Sequence, residues 1–289
     1  MTTEIRQLID EGAAKLARAS SSPRLDAEVL LSDALGVPRS TLQVRADERV
    51  LDCDATDRYE SHVTRRMHGE PVAYILGRKE FWSLELGVTP DVLIPRPETE
   101  LVVERALARL PSATNVIPAA RVLDLGTGSG AIALAIAHER PNCEVVGVDA
   151  STAACGVAAA NARRLRIANA SFMTGCWYEP VAGQWFGLIV SNPPYIADDD
   201  PRIERDVRRY EPRVALYAGP DGLAALRAVI GRAAAHLTPG GWLVVEHGDT
   251  QGAAVRDLMT RAGLALVATT RDLAGLERVS EARRPLGGH

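Results

Sequence analysis

Aromatic residues are scarce in this chain: phenylalanine, tryptophan and tyrosine together make up 4% of its 289 residues, so each Trp and Tyr is worth locating. Cysteine is scarcer, and Cys53, Cys143, Cys155 and Cys176 form no CxxC pair and have no histidine at metal-ligand spacing. That pattern suggests neither a disulfide framework nor a zinc site, and it suits a reducing cytoplasm. Basic charge is not in excess: 33 Lys and Arg stand against 37 Asp and Glu, a net of −4. A protein that coats nucleic acid normally presents a positive field to neutralise phosphates, so the balance argues against that class. No run of about 18 apolar residues is available to span a membrane, and the opening Met-Thr-Thr-Glu-Ile-Arg-Gln lacks the apolar core of a signal peptide. The expectation is a cytoplasmic protein. Internal repeats, low-complexity tracts and a Ser/His/Asp or Cys/His constellation are likewise missing.

What is present is the composition of an ordinary globular protein, 46% hydrophobic and 24% charged, with the length for about two domains at roughly 100–200 residues each. Residues 1–76 read as successive helices. Ile5, Leu8, Ile9 and Leu16 recur at helical spacing, as do Leu25, Ala27, Leu30, Leu31 and Leu35, and a third helical stretch runs from about Asp54 to His68. Over residues 77–95 the alternation of Leu84, Leu86 and Val88 predicts a strand in a short hairpin, taken as a linker. Pro97, Glu98 and Glu100 then mark a helix start. Beyond Arg121, short apolar strands (122–125, 144–149, 170–174, 186–191, 242–246, 264–269) alternate with helices. Such alternation needs crossover connections, hence an α/β domain over 96–289 with a doubly wound, mostly parallel sheet.

Between the first strand and first helix of that domain lies Asp124-Leu125-Gly126-Thr127-Gly128-Ser129-Gly130. Glycines there permit a sharp turn and let a ligand approach the helix N-terminus closely. Asp149 ends the next strand, 23 residues after Gly126, where an acid can accept hydrogen bonds from a ribose diol. Gly126, Gly128 and Ala131 also satisfy the dinucleotide pattern G-x-G-x-x-G/A, so the motif alone does not choose. Gly130 and Asp124 fit better with a ligand that carries an amino group and no pyrophosphate, such as S-adenosylmethionine. Asp124 either lies near the methionine ammonium or caps and orders the loop; both readings stand.

Asn192-Pro193-Pro194-Tyr195 follows the fourth strand of this domain, at the sheet edge where ligands bind. Two prolines fix φ and remove two donors, leaving carbonyls free to accept. An amide or heteroaromatic amino nitrogen is a poor nucleophile. Two acceptors, the Asn192 side-chain oxygen and the Pro193 carbonyl, can hold its N–H groups and orient it for in-line attack on a methyl sulfonium, with Tyr195 as a flat surface beside it.

The glycine loop with Asn192 to Tyr195 resembles the class I methyltransferases of amide and exocyclic amino nitrogens. With Val92-Leu93-Ile94-Pro95-Arg96-Pro97-Glu98-Thr99-Glu100 and Glu246-His247-Gly248 added, the chain resembles the peptide chain release factor glutamine methyltransferases along nearly its whole length. The resemblance implies a seven-stranded methyltransferase sheet behind a smaller all-helical domain. It also implies transfer of methyl from S-adenosylmethionine, leaving S-adenosylhomocysteine, to the glutamine of the Gly-Gly-Gln motif in class I release factors, a step tied to translation termination. Asp124, Gly126, Thr127, Gly128, Ser129, Gly130, Asp149, Trp177 and Asn192 would lie against the cofactor, and Asn192, Pro193, Pro194 and Tyr195 would hold the glutamine. The rivals are an N6-adenine DNA methyltransferase, which needs a basic cleft, and a ribosomal-protein glutamine methyltransferase. A monomer acting on a protein, with no DNA, membrane or metal, is expected. One departure stands out: the family usually has an acid before the aromatic, and this chain has Cys176 before Trp177. His247 is read as ordering a loop, Asp198-Asp199-Asp200 as a solvated loop, and Arg202 to Arg213 as either an exposed helix face or a partner surface.

Overall fold

The computed structural model describes residues 3–110 and 120–287. Two compact units divide the chain: the first runs to Arg78 and also takes Glu204–Tyr210, and the second holds the rest. The first is helical, with α1 (Ile5–Leu16), α2 (Pro23–Leu35), α3 (Arg39–Val44), α4 (Cys53–Met67) and α5 (Val72–Leu76). Local chemistry sets these ends. Pro23 sits in the first turn of α2, Gly36 closes it at φ 65°, and the Asp52 carboxylate caps α4 by accepting from the Ala55 amide at 3.0 Å. Leu8, Leu16, Leu30, Leu31, Leu42 and Val63 form the core. Tyr59, buried among them, donates to the Leu8 carbonyl at 3.0 Å. The segment Arg205–Tyr210 joins this unit through Arg209 and Tyr210, which both donate to the His68 carbonyl.

The second unit opens with the hairpin β1 (Arg78–Phe81) and β2 (Leu84–Gly87), then α6 (Glu100–Arg109), β3 (Arg121–Leu125), α7 (Ala131–Glu139), β4 (Glu144–Asp149), α8 (Thr152–Leu165), β5 (Ala170–Thr174) and β6 (Phe186–Ser191). After α9, the Arg205–Tyr210 helix already described, come α10 (Ala224–His236), β7 (Leu237–Glu246), α11 (Gly252–Arg261), β8 (Ala265–Arg271) and β9 (Glu277–Arg283). The sheet has seven strands in the order β5-β4-β3-β6-β7-β9-β8. All neighbours from β5 to β7 pair in parallel, while β9 runs antiparallel to both β7 and β8. Alternate residues of the buried strands face opposite layers. Val122, Val145 and Leu188 pack with Val102 of α6 and Leu134 of α7, whereas Leu123, Val146 and Ile189 pack with Leu226 of α10 and Val255 of α11. The fold is the doubly wound, mostly parallel α/β sheet expected, with its separate helical unit.

The division differs in detail from residues 1–76, 77–95 and 96–289. The hairpin belongs to the second unit, because Asn161 on α8 accepts from the Gly87 amide at 2.7 Å and donates to the Gly87 carbonyl at 3.0 Å. The outer ends of the expected domains, at residues 1 and 289, lie outside the described residues. Strand order reverses between β3 and β6, the switch point where open α/β sheets bind ligands at their carboxyl ends.

Candidate active site

At that switch point the turn after β3 is shaped by its backbone. Gly126, Gly128 and Gly130 adopt φ of 72°, 54° and 83°, the left-handed region where a Cβ is disfavoured. The Gly126 and Thr127 amides both donate to the Val148 carbonyl, at 2.8 and 3.0 Å, tying the turn to the end of β4. Ser191, last residue of β6, donates to the Leu125 carbonyl at 2.6 Å and so ties the β6 exit to the same turn. Gly126, Trp177 and Asn192 converge: a Cβ placed on Gly126 would lie 3.8 Å from the Trp177 ring and 3.9 Å from the Asn192 carbonyl oxygen.

A cavity of about 320 Å³ opens there, within the range of small-molecule sites. Gly126 to Ser129, Asp149, Trp177, Asn192 and Pro194 line it, together with Val92, Leu93, Pro95, Arg96 and Thr99 from the segment before α6 and Val214 and Ala215. Asp149 stands at the end of β4. Its Oδ2 accepts from the Gly128 amide and its Oδ1 from the Ser151 amide, each at 2.9 Å, which leaves one lone pair per oxygen for a ligand. Trp177 has φ 50°, a backbone state rare for a bulky residue and a common companion of binding sites. Asn192 Nδ2 donates to Thr99 Oγ1 at 3.1 Å, so its Oδ1 is the end of the amide left for another partner. Cys176 also lines the cavity and is exposed.

Four of the residues singled out from sequence are not part of the cavity wall. Asp124 is wholly buried, and its Oδ2 accepts from the Thr127 hydroxyl at 2.7 Å. The Thr127 hydrogen bond is that of the reading in which Asp124 orders the loop, while its Oδ1 has no hydrogen-bond partner among the described residues. Burial raises its pKa to about 7. Gly130 packs against α8, where a Cβ would meet that of Ala158 at 3.1 Å. Pro193 is buried. Tyr195 packs its ring against the core under the sheet and donates to Glu246 Oε1 at 3.1 Å, and burial raises its pKa. A Tyr195 surface lying open to a substrate amide is not what this arrangement offers.

Three residues emerge that spacing alone did not mark: Thr99, Glu211 and Glu246. Glu211, buried, accepts from the Ile94 amide at 3.1 Å and from Arg96 at 2.5 Å, and so fixes the 92–96 segment beside the cavity. Glu246, last residue of β7, is buried beside Tyr195, and its pKa is raised to about 7, chiefly by that burial. His247 is buried and held below its usual pKa by desolvation. In its neutral form Nδ1 donates to the Gly248 carbonyl at 2.8 Å and Nε2 accepts from Ser280 at 2.9 Å, the loop-ordering role expected of it. Asp198 and Asp199 are exposed, and no group of three metal-ligating side chains occurs among the described residues.

Residues 7–77 match the family described as the PrmC N-terminal domain, and residues 104–207 match the methyltransferase small domain. A release factor glutamine methyltransferase of Xylella fastidiosa is 50% identical over 262 residues, covering 91% of this chain and 94% of that protein. The chain belongs to the release factor glutamine methyltransferase family. Another relative of that description, from Salmonella typhimurium, is 48% identical over 91% of this chain and 93% of its own. The fold is also shared with a methyltransferase of Pyrococcus furiosus, at a TM-score of 0.54 and 18% identity, over 78% of this chain and 99% of that one. Both sequence relatives reach through the helical unit and the sheet, so membership is not confined to the glycine turn.

Proposed function

We propose that this family member transfers the methyl group of S-adenosylmethionine to the side-chain amide nitrogen of the glutamine in the Gly-Gly-Gln motif of class I release factors. The observation that carries this reading is the placement of Asn192: its amide is fixed by Thr99 with the oxygen unpartnered among the described residues, in the same cavity as Asp149 and the glycine turn.

The residues present suit the cofactor. Asp149 keeps lone pairs for a ribose diol, the Gly126 turn admits close approach, and Trp177 offers a face to adenine. When bound, S-adenosylmethionine supplies an electrophilic methyl on a sulfonium. Asn192 Oδ1 would accept an N–H group of the glutamine amide and orient its nitrogen. The oriented nitrogen would take that methyl group and lose a proton to solvent. No strong base is needed, because the methylated nitrogen is acidic until that proton leaves. Neutral carbonyl acceptors also favour an amide over a carboxylate at the same place.

The helical unit is assigned to recognition of the release factor body, and the chain is expected to act in the cytoplasm as a monomer. No helix among the described residues is long and apolar enough to cross a membrane, and the net charge of −4 suits a protein acceptor better than a flipped DNA base. The test is incubation with tritiated S-adenosylmethionine and four acceptors: release factor, release factor carrying Gln→Ala in Gly-Gly-Gln, unmethylated DNA, and ribosomes. Label should enter the first alone. Label in DNA, in ribosomes alone, or equally in the Gln→Ala protein would overturn the reading.

A further inference from the structure

The Asn192–Tyr195 tetrapeptide must stay in one place to present Asn192 to the cavity, and it has few donors with which to do so. Pro193 and Pro194 carry no N–H, so the segment is held through its side chains and carbonyls. Ser191 anchors its start by donating to the Leu125 carbonyl at 2.6 Å. At its other end the Tyr195 carbonyl accepts from Gln251 Nε2 at 2.9 Å. The same nitrogen donates to the Gly222 carbonyl at 3.2 Å, and Gln251 Oε1 accepts from the Gly248 amide at 2.9 Å. Carbonyls cannot donate and a backbone amide cannot accept, so these three partners permit one orientation of the Gln251 amide and use both its protons and its oxygen. The loops so joined are the exit of β6, the turn before α10 and the exit of β7. Their backbones lie close: a Cβ on Gly222 would run into the Tyr195 carbonyl oxygen and lie 3.0 Å from the Ala197 amide nitrogen. Gly248 is fixed in turn, since its carbonyl takes the His247 Nδ1 proton at 2.8 Å and accepts from the Gln251 backbone amide at 2.9 Å.

Resting on the function proposed above, we infer that Gln251 is a positioning residue for methyl transfer: its side chain clips the Tyr195 carbonyl to Gly222 and Gly248 and so sets where Asn192 stands in the cavity. Gln251 is not among the residues that line the cavity, so it acts through the tetrapeptide and not on the reactants. The lever is short and stiff. Only Pro193 and Pro194 separate Asn192 from Tyr195, and with φ fixed in both, a shift of the Tyr195 carbonyl reaches Asn192 instead of being absorbed. The clip bears on a second part of the wall. Ile196, next in the chain, donates to the Leu216 carbonyl at 3.0 Å and accepts from the Ala218 amide at 2.9 Å, and Leu216 directly follows the wall residues Val214 and Ala215. Among the described residues Gln251 bonds to neither Asp149 nor the Gly126 turn. Loss of the clip should therefore slow transfer and leave cofactor affinity in place.

Gln251→Leu removes all three side-chain hydrogen bonds. Gln251→Glu keeps the shape and the bond from Gly248 but, when ionised, has no proton for the Tyr195 and Gly222 carbonyls. The experiment measures kcat and KM for a release factor bearing Gly-Gly-Gln, cofactor Kd by calorimetry, and hydrogen exchange of the Gly248 amide by NMR without substrate. Both variants should lower kcat about 10–100-fold, with cofactor Kd changed less than about threefold. Gln251→Glu should recover relative to wild type as pH falls, because its protonated carboxyl again has an O–H for Tyr195. Adding Gln251→Leu to Asn192→Ala should cost less than about twofold more, since Gln251 acts through Asn192. The Gly248 amide should exchange about tenfold faster in Gln251→Leu and stay protected in Gln251→Glu. A Gln251→Leu enzyme within about twofold of wild-type kcat, a loss that sits in cofactor Kd, or multiplying losses in the double variant would overturn the inference. So would a Gln251→Glu enzyme that does not recover at low pH, or a Gly248 amide that exchanges in Gln251→Leu as in wild type. If Gln251→Leu does not fold, Gln251→Glu decides it by its kcat and its recovery. A wild-type enzyme that leaves the release factor unlabelled would instead refute the proposed function, and the Gly248 exchange would still test the clip.

Discussion

At the scale of single residues, the proposed division of labour within the cavity predicts separable defects. Asn192→Ala should reduce kcat about 10²–10³-fold, the usual cost of losing one oriented polar group at a reacting centre, while calorimetry finds the cofactor Kd nearly unchanged; unchanged turnover would refute the role given to Asn192. Asp149→Ala should do the reverse in binding, weakening the cofactor about 10–100-fold through loss of charge-assisted hydrogen bonds. Cys176 stands at the cavity wall, and a thiol is a poor acceptor for an exocyclic amino group. Cys176→Asp should tighten the cofactor by about two- to tenfold, and a weaker or equal Kd by calorimetry would show that backbone and Trp177 already suffice.

At the scale of elements, the turn after β3 is constrained by packing as well as by a ligand. Gly130→Ala forces a Cβ into a left-handed residue 3.1 Å from the Ala158 Cβ; urea denaturation should show a loss of about 2 kcal/mol. Glu211→Ala leaves the Ile94 amide and Arg96 without their buried partner, so the Ile94 amide should exchange with solvent faster and the segment should loosen by about 2–4 kcal/mol. Much of this architecture was legible beforehand. The strands over 144–149, 170–174 and 186–191 announce themselves as apolar runs between glycines and helices, and Gly126 and Asp149 mark the site by spacing alone. Helices α3 and α5 did not, since six- and five-residue helices are too short to display a period. Strand β9 was hidden for another reason: it buries Ser280 and Glu281, whose partners are His247, Arg105 and Arg109 far away in sequence. Glu211 escaped similarly, because its partners Ile94 and Arg96 are brought near only by the fold; Thr99 and Glu246 stood inside quoted motifs without an individual role. Asp124 and Tyr195, marked by position in the sequence, lie outside the residues that line the cavity.

At the scale of the whole molecule, two wholly buried carboxyls pull stability down as pH rises, against the smaller opposing effect of buried His247. Asp124 and Glu246 both have pKa values raised to about 7, mainly by desolvation. Between about pH 4 and 7 the unfolded chain has released protons that the folded one retains, so ν_U is less than ν_N and stability falls as pH rises through that window. The melting temperature should therefore decline from pH 5 to pH 7.5, and Asp124→Asn should flatten that decline; an identical slope in the variant would remove Asp124 from the account. The sheet order has a consequence of another kind, in how the chain is made. Strand β9 is the last strand in the sequence, yet it lies between β7 and β8 and pairs Val279 with Glu246. During synthesis β7 leaves the ribosome with an open flank, and the residue at its tip stays unsupported until some thirty residues more have emerged. Closure of the sheet beside the tip of β7 therefore waits for the segment that carries β9.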